Sequence, residues 1–141
     1  RPSKSGKRMV KYWVHPNHNM ENTLYKAVHM GHPCTVWTMQ SVANYIWHYH
    51  HWKALCIEYR FRYGKTHSTE TLLTDVLRDA PRNIDYNEKQ TPFALAMTHE
   101  PQCIHEGEPV RSYQEYYQTK QDRFKMVWTR RQIPEWFKVA A

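Results

Sequence analysis

Between Pro33 and Gly64 the chain runs for thirty residues without a glycine or a second proline, as CTVWTMQSVANYIWHYHHWKALCIEYRFRY. Pro33 suits the first turn of a helix, where its missing N–H has no partner to lose. Gly64 suits the left-handed residue that ends one. The stretch therefore predicts a helix over 33–63, about 45 Å long at ~1.5 Å per residue, with a kink or break allowed at the polar segment 41–44. Trp37, Ser41, Asn44, His48, Trp52, Leu55, Tyr59 and Arg62 fall on one side of it. Val36, Ala43, Trp47, Ala54, Ile57 and Phe61 fall on the other. A helix apolar around most of its girth is expected at the centre of a fold, with its buried polar groups paired.

The shorter elements gather around this one. Leu72, Leu73, Val76 and Leu77 give an apolar stripe, so 69–79 reads as a helix. It is capped by Ser68 or Thr69, with Glu70 in its first turn. Val110, Tyr113, Tyr117, Phe124 and Trp128 extend a second helix over 110–129. Residues 92–97 read as a buried helical turn, and 15–22 as a His/Asn-rich loop. No alternating strand pattern stands out. The expectation is an all-α fold: a single compact helical domain over 23–141 around the long helix, preceded by a flexible basic arm and loop over 1–22.

Charge says most about partners. The chain of 141 residues carries a net +7, and the excess lies entirely in its first half. Lys4, Lys7, Arg8 and Lys11 stand in the arm with no acid among them. Arg60 and Lys65 mark one end of the long helix, and Arg130 and Arg131 lie near Trp136 in an aromatic tail. Such patches attract phosphate, and interleaved aromatics add stacking surfaces for bases, which makes nucleic acid the expected partner. The arm is also a candidate contact for a protein partner. Glu58 and Arg62 have the spacing of an intrahelical brace.

Other chemistries find less support. Gly31-His32-Pro33 opens the long helix, where free N–H groups favour an anion flanked by His29 and His32. Ten histidines raise the question of a metal, but neither the 29–34 group nor His48 with His51 has zinc spacing. Capping, stacking and polar-core roles are the expected account, and no metal or cofactor is predicted. Three cysteines without a C-x-x-C pair suggest buried thiols in a reducing compartment. No apolar run reaches membrane-spanning length, so no membrane partner is expected. No hydrolase triad or Gly-rich phosphate loop is present.

Several blocks also carry a resemblance. Gly31-His32-Pro33-Cys34-Thr35-Val36-Trp37, Asn44-Tyr45-Ile46-Trp47, Ala54-Leu55-Cys56 with Glu58-Tyr59, and Arg62-Tyr63-Gly64-Lys65-Thr66-His67 form the first part. Thr91-Pro92-Phe93-Ala94-Leu95-Ala96-Met97, Tyr113-Gln114-Glu115-Tyr116-Tyr117 and Pro134-Glu135-Trp136-Phe137 complete it. Together, over about residues 25–137, they resemble a family of small tailed-bacteriophage proteins related to pyrimidine-dimer DNA glycosylases of the endonuclease V type. The resemblance implies a helical, DNA-directed protein, acting as a glycosylase and abasic-site lyase, or as a non-enzymatic nucleic-acid-binding or virion-associated protein on the same scaffold. It also implies a location in the cytoplasm of an infected bacterium or in the virion, and DNA rather than RNA. In those glycosylases an N-terminal amine attacks the sugar with help from a helical glutamate. Here Arg1 and Pro2 stand at the start, and the helix that precedes the block matching 25–33 is lacking. The implied catalytic end is therefore missing or lost, and no catalytic residue is assigned. Glu21 is the only acid before Glu58 and falls in the expected loop.

Overall fold

The computed structural model describes residues 2–139. Helix is the regular structure throughout them: α1 (His18–Thr23), α2 (Pro33–Met39), α3 (Val42–Tyr63), α4 (Ser68–Leu73) and α5 (Pro109–Thr119). Short 3-10 turns lie at Pro101–Cys103 and Lys120–Asp122, and a lone bridge joins Pro2 to Met9. Long irregular segments, 74–100 and 123–139, connect and wrap these helices.

The long helix forms, but in two pieces. Pro33 stands at the first position of α2 and Gly64 stops α3 with φ 67°, as the sequence predicts. Between them Ser41 is fully extended, at φ −158° and ψ 159°, and its Oγ accepts the N–H of Asn44 at 3.1 Å. A serine at this point does what serines do best in helical sequences: it starts a new helix rather than continuing an old one. Asn44, with no exposed surface, then ties the junction together. Its amide donates to the Trp37 carbonyl and to Thr91 Oγ1, both at 2.7 Å, and accepts the N–H of Thr91 at 3.0 Å.

The expectation of a helix buried all round is corrected. Within α3 only Asn44 and Cys56 are buried, and Ile46, Leu55, Ile57 and Phe61 are all exposed. One side of α3 supports the fold. Tyr45 and Tyr49 reach across to donate to the carbonyls of Leu77 and Thr74 at 2.8 and 3.1 Å. Those two carbonyls are thereby satisfied without further helical turns, which is why the helix expected over 69–79 ends at Leu73. Its cap is His67, not Ser68 or Thr69.

Other segments depart for similar reasons. Residues 92–97 are buried in part, with Met97 fully so, but irregular rather than helical. The Tyr113 hydroxyl clamps them, donating to the Ala94 carbonyl at 2.8 Å and accepting the Ala96 N–H at 3.3 Å. Those groups need no helical partners. The helix expected over 110–129 stops at Thr119, and the chain turns so that Trp128 can lie against Phe137, ring centroids 4.6 Å apart. The expected loop at 15–22 contains α1, started by Asn17, whose side chain accepts the Met20 N–H at 3.1 Å.

Three histidines perform one task. The Nδ1 of His15, His32 and His67 accepts the backbone N–H two residues ahead, from Asn17, Cys34 and Thr69, at 3.0, 3.2 and 3.2 Å. This is the turn-making role that Asp and Asn usually fill. Others stack: His51 lies on Trp47 at 5.1 Å, and His99 meets Tyr116 edge-on.

Replacing Asn44 by alanine strips the Thr91 N–H of its partner and leaves the Trp37 carbonyl with only the Gln40 N–H, at 3.2 Å. Asn44→Ala is expected to lower unfolding stability by about 2–4 kcal/mol, read from urea denaturation. A decrease below about 0.5 kcal/mol would mean that the junction does not hold the fold.

Candidate nucleic-acid interface

Two segments far apart in sequence meet at the C-terminal end of α3. Glu58 is their joint. Its carboxylate accepts from Arg62 Nε at 2.7 Å along the helix, the brace expected from the four-residue spacing. From the tail, Arg131 grips the same carboxylate with two nitrogens, Nε at 3.0 Å and Nη2 at 2.7 Å. The Arg131 guanidinium also lies over the Phe61 ring at 3.8 Å, and neighbouring Arg130 donates to the Phe61 carbonyl at 3.4 Å. Arg130 holds a left-handed backbone, φ 59°, which turns the tail onto the helix end.

Hydrogen bonds from Arg131, then from Arg62, bring the Glu58 pKa down from 4.5 to about 2. The same contact raises Arg131 above its ordinary value. A two-pronged arginine–carboxylate contact fixes geometry as well as charge. The tail is thus held to α3 by an oriented ion pair and a cation lying on an aromatic ring.

On the other side of the helix end, Arg60 and Lys53 converge on Glu70 of α4. Glu70 is 6% exposed, and the hydrogen bonds from Arg60, then Lys53, lower its pKa. Its Oε2 has no hydrogen-bond partner among the described residues. Lys65 is exposed just beyond Gly64. The end of α3 therefore carries Arg60, Arg62, Lys65, Arg130 and Arg131 against two carboxylates, Glu58 and Glu70, a surplus of positive charge. The carbonyl end of a helix favours cations, which accounts for part of this clustering. It does not require the tail to bring two more.

The sites named from sequence are distributed as follows. Arg60, Lys65, Arg130 and Arg131 come together, though Arg60 and Arg131 each hold a carboxylate. Trp136 lies further along the tail, 39% exposed, with its ring edge-on to buried Phe137 at 5.7 Å and its carbonyl bonded to Gln118. Lys4, Lys7, Arg8 and Lys11 are exposed on the arm. Arg1, where the resemblance would put an amine, lies outside the described residues. His29 has a left-handed backbone, φ 53°, and His32 turns its Nδ1 to the Cys34 N–H, so that donor at the start of α2 is already engaged. Glu21 is in a helix after all, in the first turn of α1, where it holds Lys26 and accepts the His15 N–H at 2.8 Å. Among the described residues no group of three or more His, Cys, Asp or Glu could hold a metal, and no helix is long and apolar enough to cross a membrane.

The sequence reading missed an aromatic cleft beside α3. Trp37 and Phe93 stack in it with Trp47 edge-on to both, centroids 4.7–5.6 Å apart, and with Tyr113, His48 and Cys34 they line about 390 Å³. Burial, then the neighbouring His51, lowers the His48 pKa. Its Nδ1 lies 2.6 Å from Thr38 Oγ1, which itself donates to the Cys34 carbonyl. Burial also pushes Tyr113 up to about 12. Phe93 lies outside any periodic element, so spacing gave no sign of it.

A depressed carboxylate pKa contributes stability above its ordinary value and loses it as the pH falls through the lowered one. Glu58→Gln is therefore expected to melt below the unaltered chain at neutral pH, with the gap closing between pH 4.5 and about 2. Thermal unfolding across that range measures it, and a gap independent of pH would remove the ion pair as its cause. No protein-family model, characterised protein or solved structure matches the chain.

Proposed function

We propose that this is a DNA-directed protein that holds duplex phosphates at the C-terminal end of α3. The observation that carries the reading is the convergence there of Arg130 and Arg131 with Arg60, Arg62 and Lys65, cations from two segments of the chain. Exposed Phe61 and Tyr63 lie among them, giving apolar surface beside the charge. Neither Glu58 nor Glu70 holds Lys65 or Arg130, so these two are the cations most available to phosphate. The exposed cations of the arm, Lys4, Lys7, Arg8 and Lys11, would add a second contact. The resemblance to the phage family related to pyrimidine-dimer glycosylases supports DNA over RNA.

Within that reading the binding role has more support than the enzymatic one. A glycosylase or lyase step needs a nucleophilic amine with an acid beside it. Glu21, the acid that sequence singles out, is tied to Lys26 and His15. A phage or virion-associated binder that keeps the scaffold without the chemistry is accordingly the preferred form.

The test is fluorescence anisotropy on a labelled duplex over a salt series, alongside borohydride trapping on a duplex with one abasic site. Salt-sensitive binding without a covalent adduct is expected. Lys65→Glu with Arg130→Glu should weaken binding about tenfold or more and flatten the salt slope by roughly one for each phosphate the protein no longer neutralises. Binding unchanged by both reversals would exclude the helix end, and a trapped adduct would restore the enzymatic reading.

A further inference from the structure

The outward face of α3 carries a pattern that the fold covers only in part, with Trp47 against Phe93, Arg131 over Phe61 and Ala43 half-buried. Ala43, Trp47, His50, Ala54, Ile57 and Phe61 follow one another at steps of four, three, four, three and four. That is the spacing of the seam along which two helices wrap. It runs nearly the whole of α3 and contains no Asp, Glu, Lys or Arg. His50 and Ala54 are exposed, and Trp47, Ile57 and Phe61 are 39%, 57% and 46% exposed. Single exposed apolar residues are ordinary on a protein surface, but a seam of them broken only by His50 is not.

We infer that this face is the contact between two copies of the chain, paired antiparallel through α3. Three observations select a second copy. The first is that the steps read the same in either direction, about a midpoint at Trp52. A two-fold axis there lays the seam onto itself and sets Ala43 against Phe61 of the partner subunit, Trp47 against Ile57 of the partner subunit, and His50 against Ala54 of the partner subunit. Every layer joins a bulky side chain to a smaller one, the alternation that lets layers interlock. A two-fold contact needs just this self-complementarity.

The second observation is charge. A parallel pair would press the basic ends together, with Arg60, Arg62, Lys65, Arg130 and Arg131 of each copy side by side. It would also stack Trp47 on its own counterpart and Ala54 on its own. The antiparallel pair places the basic ends at opposite extremes and opposes the two helix dipoles favourably.

The third is area. The chain exposes 11217 Å², against roughly 7,800 Å² for a compact chain of its mass. The extended arm and tail account for part of the excess. The whole excess, arm and tail included, is larger than the roughly 800 Å² that each partner gives to a standard interface.

Sedimentation equilibrium of the full chain, without nucleic acid, tests this separately from phosphate binding. The expected species has twice the 17.1 kDa chain mass. Ala54→Glu and Ile57→Glu, both at exposed positions, are expected to give monomers with unchanged helical circular dichroism. Orientation is read by disulfide cross-linking in a Cys34→Ser background. Ala43→Cys mixed with Phe61→Cys should cross-link, while neither alone should, because identical positions lie about 27 Å apart along the axis. A monomer from the micromolar range upward overturns the inference, and so does a dimer that survives both glutamate substitutions. Cross-linking of either single variant alone shows a parallel pair and overturns it too.

Discussion

A single buried amide sets the geometry of this protein. Asn44 has nowhere to send its hydrogen bonds but to Trp37 and Thr91, so α2, α3 and the segment after residue 85 must meet at one point. The loop is drawn in further by two hydrogen bonds to its backbone, Val42 N–H to the Asp85 carbonyl at 2.8 Å and the Ser41 hydroxyl to the Lys89 carbonyl at 3.4 Å. With the loop in place, Phe93 falls between Trp37 and Trp47. A polar group buried and fully paired in this way specifies one arrangement, because every alternative leaves a donor or acceptor stranded. Apolar contact alone would allow α2 and α3 to slide.

At the far end of α3 the same logic is carried out with charge. Glu58 takes one arginine from its own helix and one from the tail, and Glu70 takes Arg60 and Lys53. Each acid has two cations, so the carboxylates organise the site without cancelling it. The two ends of α3 thus have distinct duties. The start is buried and fixes the fold, while the end is exposed and keeps a net positive charge.

Much of this was legible in the sequence, and the exceptions share a cause. Pro33, Gly64 and the Glu58–Arg62 spacing act locally, and each behaves as local rules say. The break at Ser41 was visible as a polar interruption, though only the distant Thr91 explains why it is kept. The shortened helices and the irregular 92–97 segment depend on hydroxyls of Tyr45, Tyr49 and Tyr113, which satisfy backbone carbonyls from 19 to 32 residues away. Periodicity within a window cannot register such a bond. The basic residues were each identifiable, but their meeting was not, since Arg131 and Glu58 are 73 residues apart. The cleft around Phe93 was hidden for the same reason.

The turns at His15, His32 and His67 replace the usual carboxylate or amide acceptor with an imidazole lone pair. Two of these turns open helices, α2 and α4, and the third leads into α1. The approach to three helices therefore rests on one kind of ring nitrogen, and an alanine at His15, His32 or His67 would strip the same acceptor from each, while α3, which begins on a serine, would keep its own.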